Sequence, residues 1–134
     1  IASGDTALQR LAARAVGRWE RAEYAARLTP LLQSSAPAVR RQAYDAAAQL
    51  RAVQLLWPRS SPDANATARG AWGESLGRVA TPNTDIEAAL AAGLQDEQSD
   101  ARRGMARGLE SYLRRHARST RAQANTLQQL RERV

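Results

Sequence analysis

Counted from Leu8, apolar or small residues fall at offsets 0, 3, 4, 7, 8 and 11: Leu8, Leu11, Ala12, Ala15, Val16 and Trp19. These offsets share one face of a 3.6-residue helix, so the stretch predicts an amphipathic helix. The template recurs from Val39 with Ala43, Ala46, Ala47 and Leu50, broken only by Gln42. It recurs from Ala68 with Ala71, Trp72, Ser75, Leu76 and Val79, and from Ala101 with Gly104, Met105, Gly108, Leu109 and Tyr112. The four starts lie 31, 29 and 33 residues apart. Such a period fits one helix hairpin per repeat.

Shorter apolar patterns lie between the template copies. Residues 23–33 carry Tyr24, Leu28, Leu31 and Leu32, with Pro30 as an expected kink. Residues 85–95 carry Ile86, Ala89, Leu90 and Leu94, and residues 120–134 carry Ala124, Leu127, Leu130 and Val134. Each predicts a partner helix. After the second copy, Val53, Leu55, Leu56 and Trp57 run into Pro58, which should stop any helix, and residues 59–63 read as a loop. Asp5, Ser35 and either Asp63 or Asn65 stand where a side-chain oxygen can cap a template helix, and Pro37 suits a first helical turn. Residues 81–85 read as a turn into a capped helix. Gly17 and Gly77 share offset 9, where alanine would favour a helix by about 1 kcal/mol, so close helix approach or a shared bend is expected.

Length and composition then narrow the class. The 134 residues suffice for one domain with one core, and 43% hydrophobic against 25% charged residues is a globular balance. One repeat domain over residues 1–134 is expected, cut from a longer protein. No apolar run reaches the length of a membrane span. The chain lacks Cys, which removes disulfides, thiol catalysis and cysteine metal sites. It also lacks Lys and Phe: all 20 basic residues are Arg, a bias of GC-rich bacterial coding sequence. The net charge of +7 raises an anionic partner as a possibility, although that bias accounts for part of it. Compartment and oligomeric state are left open.

The template resembles the short bacterial HEAT repeats related to phycocyanobilin-lyase repeats. Their inner helix reads roughly Val-Arg, two residues, Ala, two residues, Ala-Leu-Gly, one residue, Leu. This chain has Val39-Arg40 with Ala43, Ala46, Ala47 and Leu50, Ala68-Arg69 with Ser75-Leu76-Gly77-Arg78-Val79, and Ala101-Arg102 with Gly108-Leu109. The first copy has Ala15-Val16-Gly17-Arg18-Trp19 but Gln9 in place of the Arg. Residues 86–96 match the outer helix and its acidic turn. The resemblance implies an all-α fold, a right-handed α-solenoid of about four stacked antiparallel helix pairs, with the template helices lining the concave side. It also implies an inter-repeat ladder in which Arg40, Arg69 and Arg102 pair with acidic groups of the neighbouring repeat, and Gln9 leaves the first rung in question.

Catalytic chemistry finds little footing. The single histidine, His116, sits among arginines without a positioned acid or nucleophile, and one His without Cys cannot anchor a usual zinc site. No phosphate-binding glycine loop or serine elbow occurs. No cofactor is expected. The arginines say more, because equal offsets of stacked repeats lie side by side. Offset 2 reads Arg10, Arg41, Gly70, Arg103, and offset 6 reads Arg14, Asp45, Glu74, Arg107. The second column predicts Arg14 facing Asp45 and Glu74 facing Arg107, with Asp45 unfavourably beside Glu74. A further cluster, Arg114, Arg115, Arg118 and Arg121, follows the last template helix, where positive charge complements the helix dipole.

The expected function is that of a non-enzymatic protein-binding scaffold. Its concave face, with Arg41, Asp45, Arg69, Glu74, Arg103 and Arg107, would meet a protein partner. Nucleic acid bound through the same arginines is the alternative, favoured by bidentate phosphate recognition but opposed by the acidic residues among them. A third reading is a structural or regulatory array attached to an enzyme domain outside this segment.

Overall fold

The computed structural model describes residues 6–19, 25–59 and 61–132. Among these the chain is all-helical, without a strand. The helices are α1 (Thr6–Trp19), α2 (Ala25–Leu32), α3 (Pro37–Gln49), α4 (Ala66–Val79), α5 (Thr84–Gly93) and α6 (Ser99–Glu132), with one 3-10 turn over Val53–Leu55. The template helices pack in chain order, α1 on α3, α3 on α4 and α4 on α6. The shorter α2 lies on α3, and α5 on α6. No helix among the described residues is long and apolar enough to cross a membrane.

The template predicts burial well in three helices. Val39, Ala43, Ala46 and Ala47 of α3 and Leu50 just after it are buried, as are Ala68, Trp72, Ser75 and Leu76 of α4. On α6, Ala101, Met105 and Tyr112 are buried. Leu28, Leu56 and Leu90 from the intervening segments complete the core. In α1 the template's Leu8 and Leu11 are 48% and 56% exposed, while Ala13 at offset 5 is buried like Tyr44 and Gly73 at that offset of α3 and α4. The side chains of Ala15, Val16, Gly17 and Trp19 lie outside the description.

Local chemistry sets the boundaries. Pro37 opens α3 in its first turn as expected, but the residue before it is Ala36, not Ser35, and no side chain caps that helix. Asn65 caps α4 by accepting from the Ala68 N–H at 3.0 Å. Asn83 caps α5, accepting from Asp85 and Ile86. Asp5 lies outside the described residues. Pro30 lies inside α2, which continues to Leu32. Leu50 ends α3 and Arg51 follows with φ 56°, a left-handed position where Ala52 N–H reaches back to the Ala47 carbonyl. Pro58 stops the next segment as predicted, and it contributes only the 3-10 turn and the buried Leu56.

Two features go beyond the sequence pattern. The expected separate helix over residues 120–134 does not form: α6 runs unbroken for 34 residues, roughly 50 Å. Nothing between Leu109 and Glu132 is Gly or Pro, so no residue forces a turn there. The second is the α4–α6 contact, where Gly70, Gly73 and Gly77 meet Gly104 and Gly108. A Cβ on Gly77 would overlap the Gly108 carbonyl, and one on Gly104 the Gly70 carbonyl. Here glycine serves as the absence of a side chain, and the close approach read at Gly77 is present.

Candidate functional site

Five of the six residues expected on a partner face come together. Arg41, Asp45, Glu74 and Arg78 line a shallow hollow of 320 Å³ between α3 and α4. Arg41, Glu74, Asp100, Arg103 and Arg107 line an adjoining one of 240 Å³ that reaches α6. Arg69 does not join them, since its guanidinium is held at the turn before α6. The predicted pairs also rearrange. Asp45 binds Arg78 at 2.9 Å and accepts from Gln49, which relieves its position beside Glu74. Arg14's side chain lies outside the description. Glu74 and Arg107 share the second hollow without an ion pair. Arg103 reaches Asp100 only at 3.7 Å, with both side chains more than half exposed. Among the described residues, Arg41 and Arg107 take no carboxylate.

The ladder arginines follow one plan. Arg40 donates Nη1 to the Ser34 carbonyl, and Nε and Nη2 to Asp63 at 2.8 and 2.9 Å. Arg69 donates Nη1 to the Asp63 carbonyl, and Nε and Nη2 to Asp96 at 2.7 and 2.9 Å. Each bidentate fork therefore ties one template helix to the turn leading into the next. At the first rung the plan survives in neutral form: Ser34 Oγ donates to Gln9 Oε1 at 3.4 Å. Arg102 donates Nη1 to the Asp96 and Glu97 carbonyls and reaches no carboxylate among the described residues.

The acceptors of the ladder were not singled out from the sequence. Ser34, Asp63 and Asp96 each stand at offset −5, and each also takes the N–H two residues on, from Ala36, Asn65 and Gln98. The recurrence of Ser3, Ser34, Asp63 and Asp96 at that offset was the available signal.

Asp63 carries the densest network. Its side chain is 1% exposed and also accepts from Tyr44 Oη at 2.7 Å. Burial alone would raise this carboxyl, but the bonds from Arg40, Tyr44 and the Asn65 N–H outweigh it and hold its pKa at about 2. Burial and the bond to Asp63 push the Tyr44 phenol up to about 12. Arg59 donates to Tyr44 Oη at 2.6 Å and lies over its ring. The Arg69 fork, with the Gln98 N–H, holds Asp96 at about 2.

A larger cleft of 960 Å³ opens beside this ladder, lined by Trp57, Trp72, Gly93 and Met105 and edged by Arg59 and Gln95. Trp57 stacks on Trp72 at 6.4 Å, so its ring packs on the core yet keeps one side open to the cleft. The terminal arginine cluster divides. Arg114 pairs with Glu110. Arg115 donates to the Gly77 and Ala80 carbonyls at the end of α4, and burial lowers its pKa, with Arg51 and Arg118 adding to the effect. Arg118 is exposed, and the Arg121 side chain lies outside the description. His116 is exposed and stacked on Tyr112. No group of three potential metal ligands gathers among the described residues. No family model, curated protein or solved structure matches the chain.

Proposed function

We propose that the chain is a right-handed α-solenoid of about four HEAT-like repeats that serves as a non-enzymatic scaffold, binding a protein partner on its concave face. The observation that carries this reading is the second hollow, where exposed Arg41 and Arg107 and half-buried Glu74 stand together without ion pairs among the described residues. Charges of both signs, fixed on three helices, fit a partner segment with a matching mixed pattern. Nucleic acid fits the same face less well, because Asp45, Glu74 and Asp100 would meet its phosphates.

Fluorescence anisotropy tests the reading with labelled 16-residue peptides rich in Asp and Glu, interspersed with single Arg residues. The intact chain should bind them. The double variant Arg41→Glu, Arg107→Glu should bind about tenfold more weakly or worse, with its far-ultraviolet circular dichroism unchanged. Equal affinity in the variant, or tighter binding of duplex DNA than of any peptide, overturns it.

A further inference from the structure

The segments between template helices differ in what they build. Two form the helices α2 and α5, whereas the one between α3 and α4 forms only the 3-10 turn over Val53–Leu55 among its described residues. The 960 Å³ cleft opens beside this thinner segment. Trp57 stands on one wall, Ala89, Ala92 and Gly93 of α5 on the other, and the nearly buried Trp72 and Met105 form the floor. Trp57 rests one face of its ring on Trp72 and turns the other to the opening. The α5 wall facing it carries a methyl group or no side chain at three positions. The space between is a slot with an aromatic side.

Four charged residues line the cleft: Arg59, Arg69, Asp96 and Glu97. Arg69 and Asp96 clasp each other and cancel. Arg59 and Glu97 remain, on opposite walls. Arg59 is half-buried and held in place, donating Nε to the Ser61 carbonyl at 3.2 Å and Nη1 to Tyr44 Oη at 2.6 Å. Neither acceptor carries a charge, since the Tyr44 phenol is pushed up to about 12. Nη2 of Arg59 takes no partner among the described residues. Glu97 is exposed, where water and salt screen it. The cleft thus sets an oriented cation, without a carboxylate of its own, beside an open indole face.

We propose that the cleft binds a small planar aromatic molecule bearing a carboxylate, the ring stacked on the open face of Trp57 and the carboxylate on Arg59. A cleft of this volume, mostly apolar with one placed charge, has the size and make-up of small-molecule sites. Stacking on an indole leaves a ring free to turn in its plane, and the arginine fixes which way it points. The site is independent of the concave face, because no residue of the two hollows lines the cleft.

The test titrates the intact, nitrogen-15-labelled protein with naphthalene-2-carboxylate and follows the indole N–H signals, assigned by single Trp→Phe variants. The Trp57 and Trp72 signals should shift saturably, with a Kd of about 1 mM or tighter, as suits a ligand this small. Arg59→Gln should weaken the carboxylate about tenfold and leave the neutral naphthalene-2-methanol unchanged. Ala92→Leu, at an exposed position of α5, fills the slot without touching the core and should abolish binding of both. No saturable shift at either indole, binding indifferent to Ala92→Leu, or a carboxylate that binds no better than the alcohol overturns the proposal. Tighter binding of naphthalene-2-methylamine than of the carboxylate overturns it too, since Glu97 would then be the anchor.

Discussion

Replacing Gly104 with valine should cost the protein about 3 kcal/mol or more, at the upper end of what overpacking does. The added Cβ is aimed at the Gly70 carbonyl, which belongs to a helix backbone and cannot turn aside like a side chain. Relief requires α4 and α6 to separate, and that contact also includes Gly73, Gly77 and Gly108. Valine is a better helix former than glycine, so propensity cannot account for the loss; the control is Ala106→Val on the exposed face of the same helix, where about half a kcal/mol is expected from propensity alone. Thermal unfolding followed by circular dichroism reads both variants. At roughly 4 °C per kcal/mol for a chain of this size, Gly104→Val should melt at least about 10 °C below its control. Equal midpoints would mean that the two helices do not meet at their glycines.

The second large effect belongs to Asp63. Asp63→Ala should destabilise by about 3 kcal/mol or more, because it strands the half-buried Arg40 guanidinium and the buried Tyr44 hydroxyl. The loss should depend on pH in a defined way. The Asp63 pKa is depressed from 3.8 to about 2 on folding, so its stabilisation is complete above the unfolded value and disappears as pH falls through the folded one. That difference corresponds to about 2 kcal/mol. Wild type and variant should therefore differ most near neutral pH, and the gap should narrow by about 2 kcal/mol as pH falls to about 2. Urea denaturation at a series of pH values checks this, and a constant gap down to pH 2 would remove the carboxylate from the account.

What could be read from the sequence was the part written in short-range periodicity. The stripe starting at Val39, Ala68 and Ala101 is a local pattern, and it predicted the buried face of α3, α4 and α6. Leu8 and Leu11 obey the same period yet are exposed, because periodicity says which residues share a face and not what covers it. Residues 120–132 failed for a related reason. Ala124, Leu127 and Leu130 have helical spacing, but spacing cannot show whether a helix is new or continuing; the missing Gly or Pro was the better signal.

The site divides along the same line. Arg41, Asp45, Glu74, Arg103 and Arg107 could be aligned because equal offsets on stacked helices are neighbours. Arg69 was misplaced because offset 1 was assigned to the open face as well as to the ladder, and its bonds to Asp96 resolve that in favour of the ladder. Its partner was hidden, since Arg40–Asp63 and Arg69–Asp96 span 23 and 27 residues and no local pattern joins them. The glycines at offsets 3 and 7 on α6 passed as small core residues, although their role is to let two backbones approach.

The most direct measurement is a two-dimensional NMR spectrum of the arginine Nε–H groups, assigned by single Arg→Lys variants, with solvent exchange measured for each signal. Stacking through side-chain rungs predicts slowly exchanging, dispersed signals for Arg40 and Arg69, whose Nε–H groups face Asp63 and Asp96. It predicts a rapidly exchanging signal for Arg102. Fast exchange at all three would contradict the rungs that tie the helices in order, and slow exchange at Arg102 would contradict its exposed Nε–H.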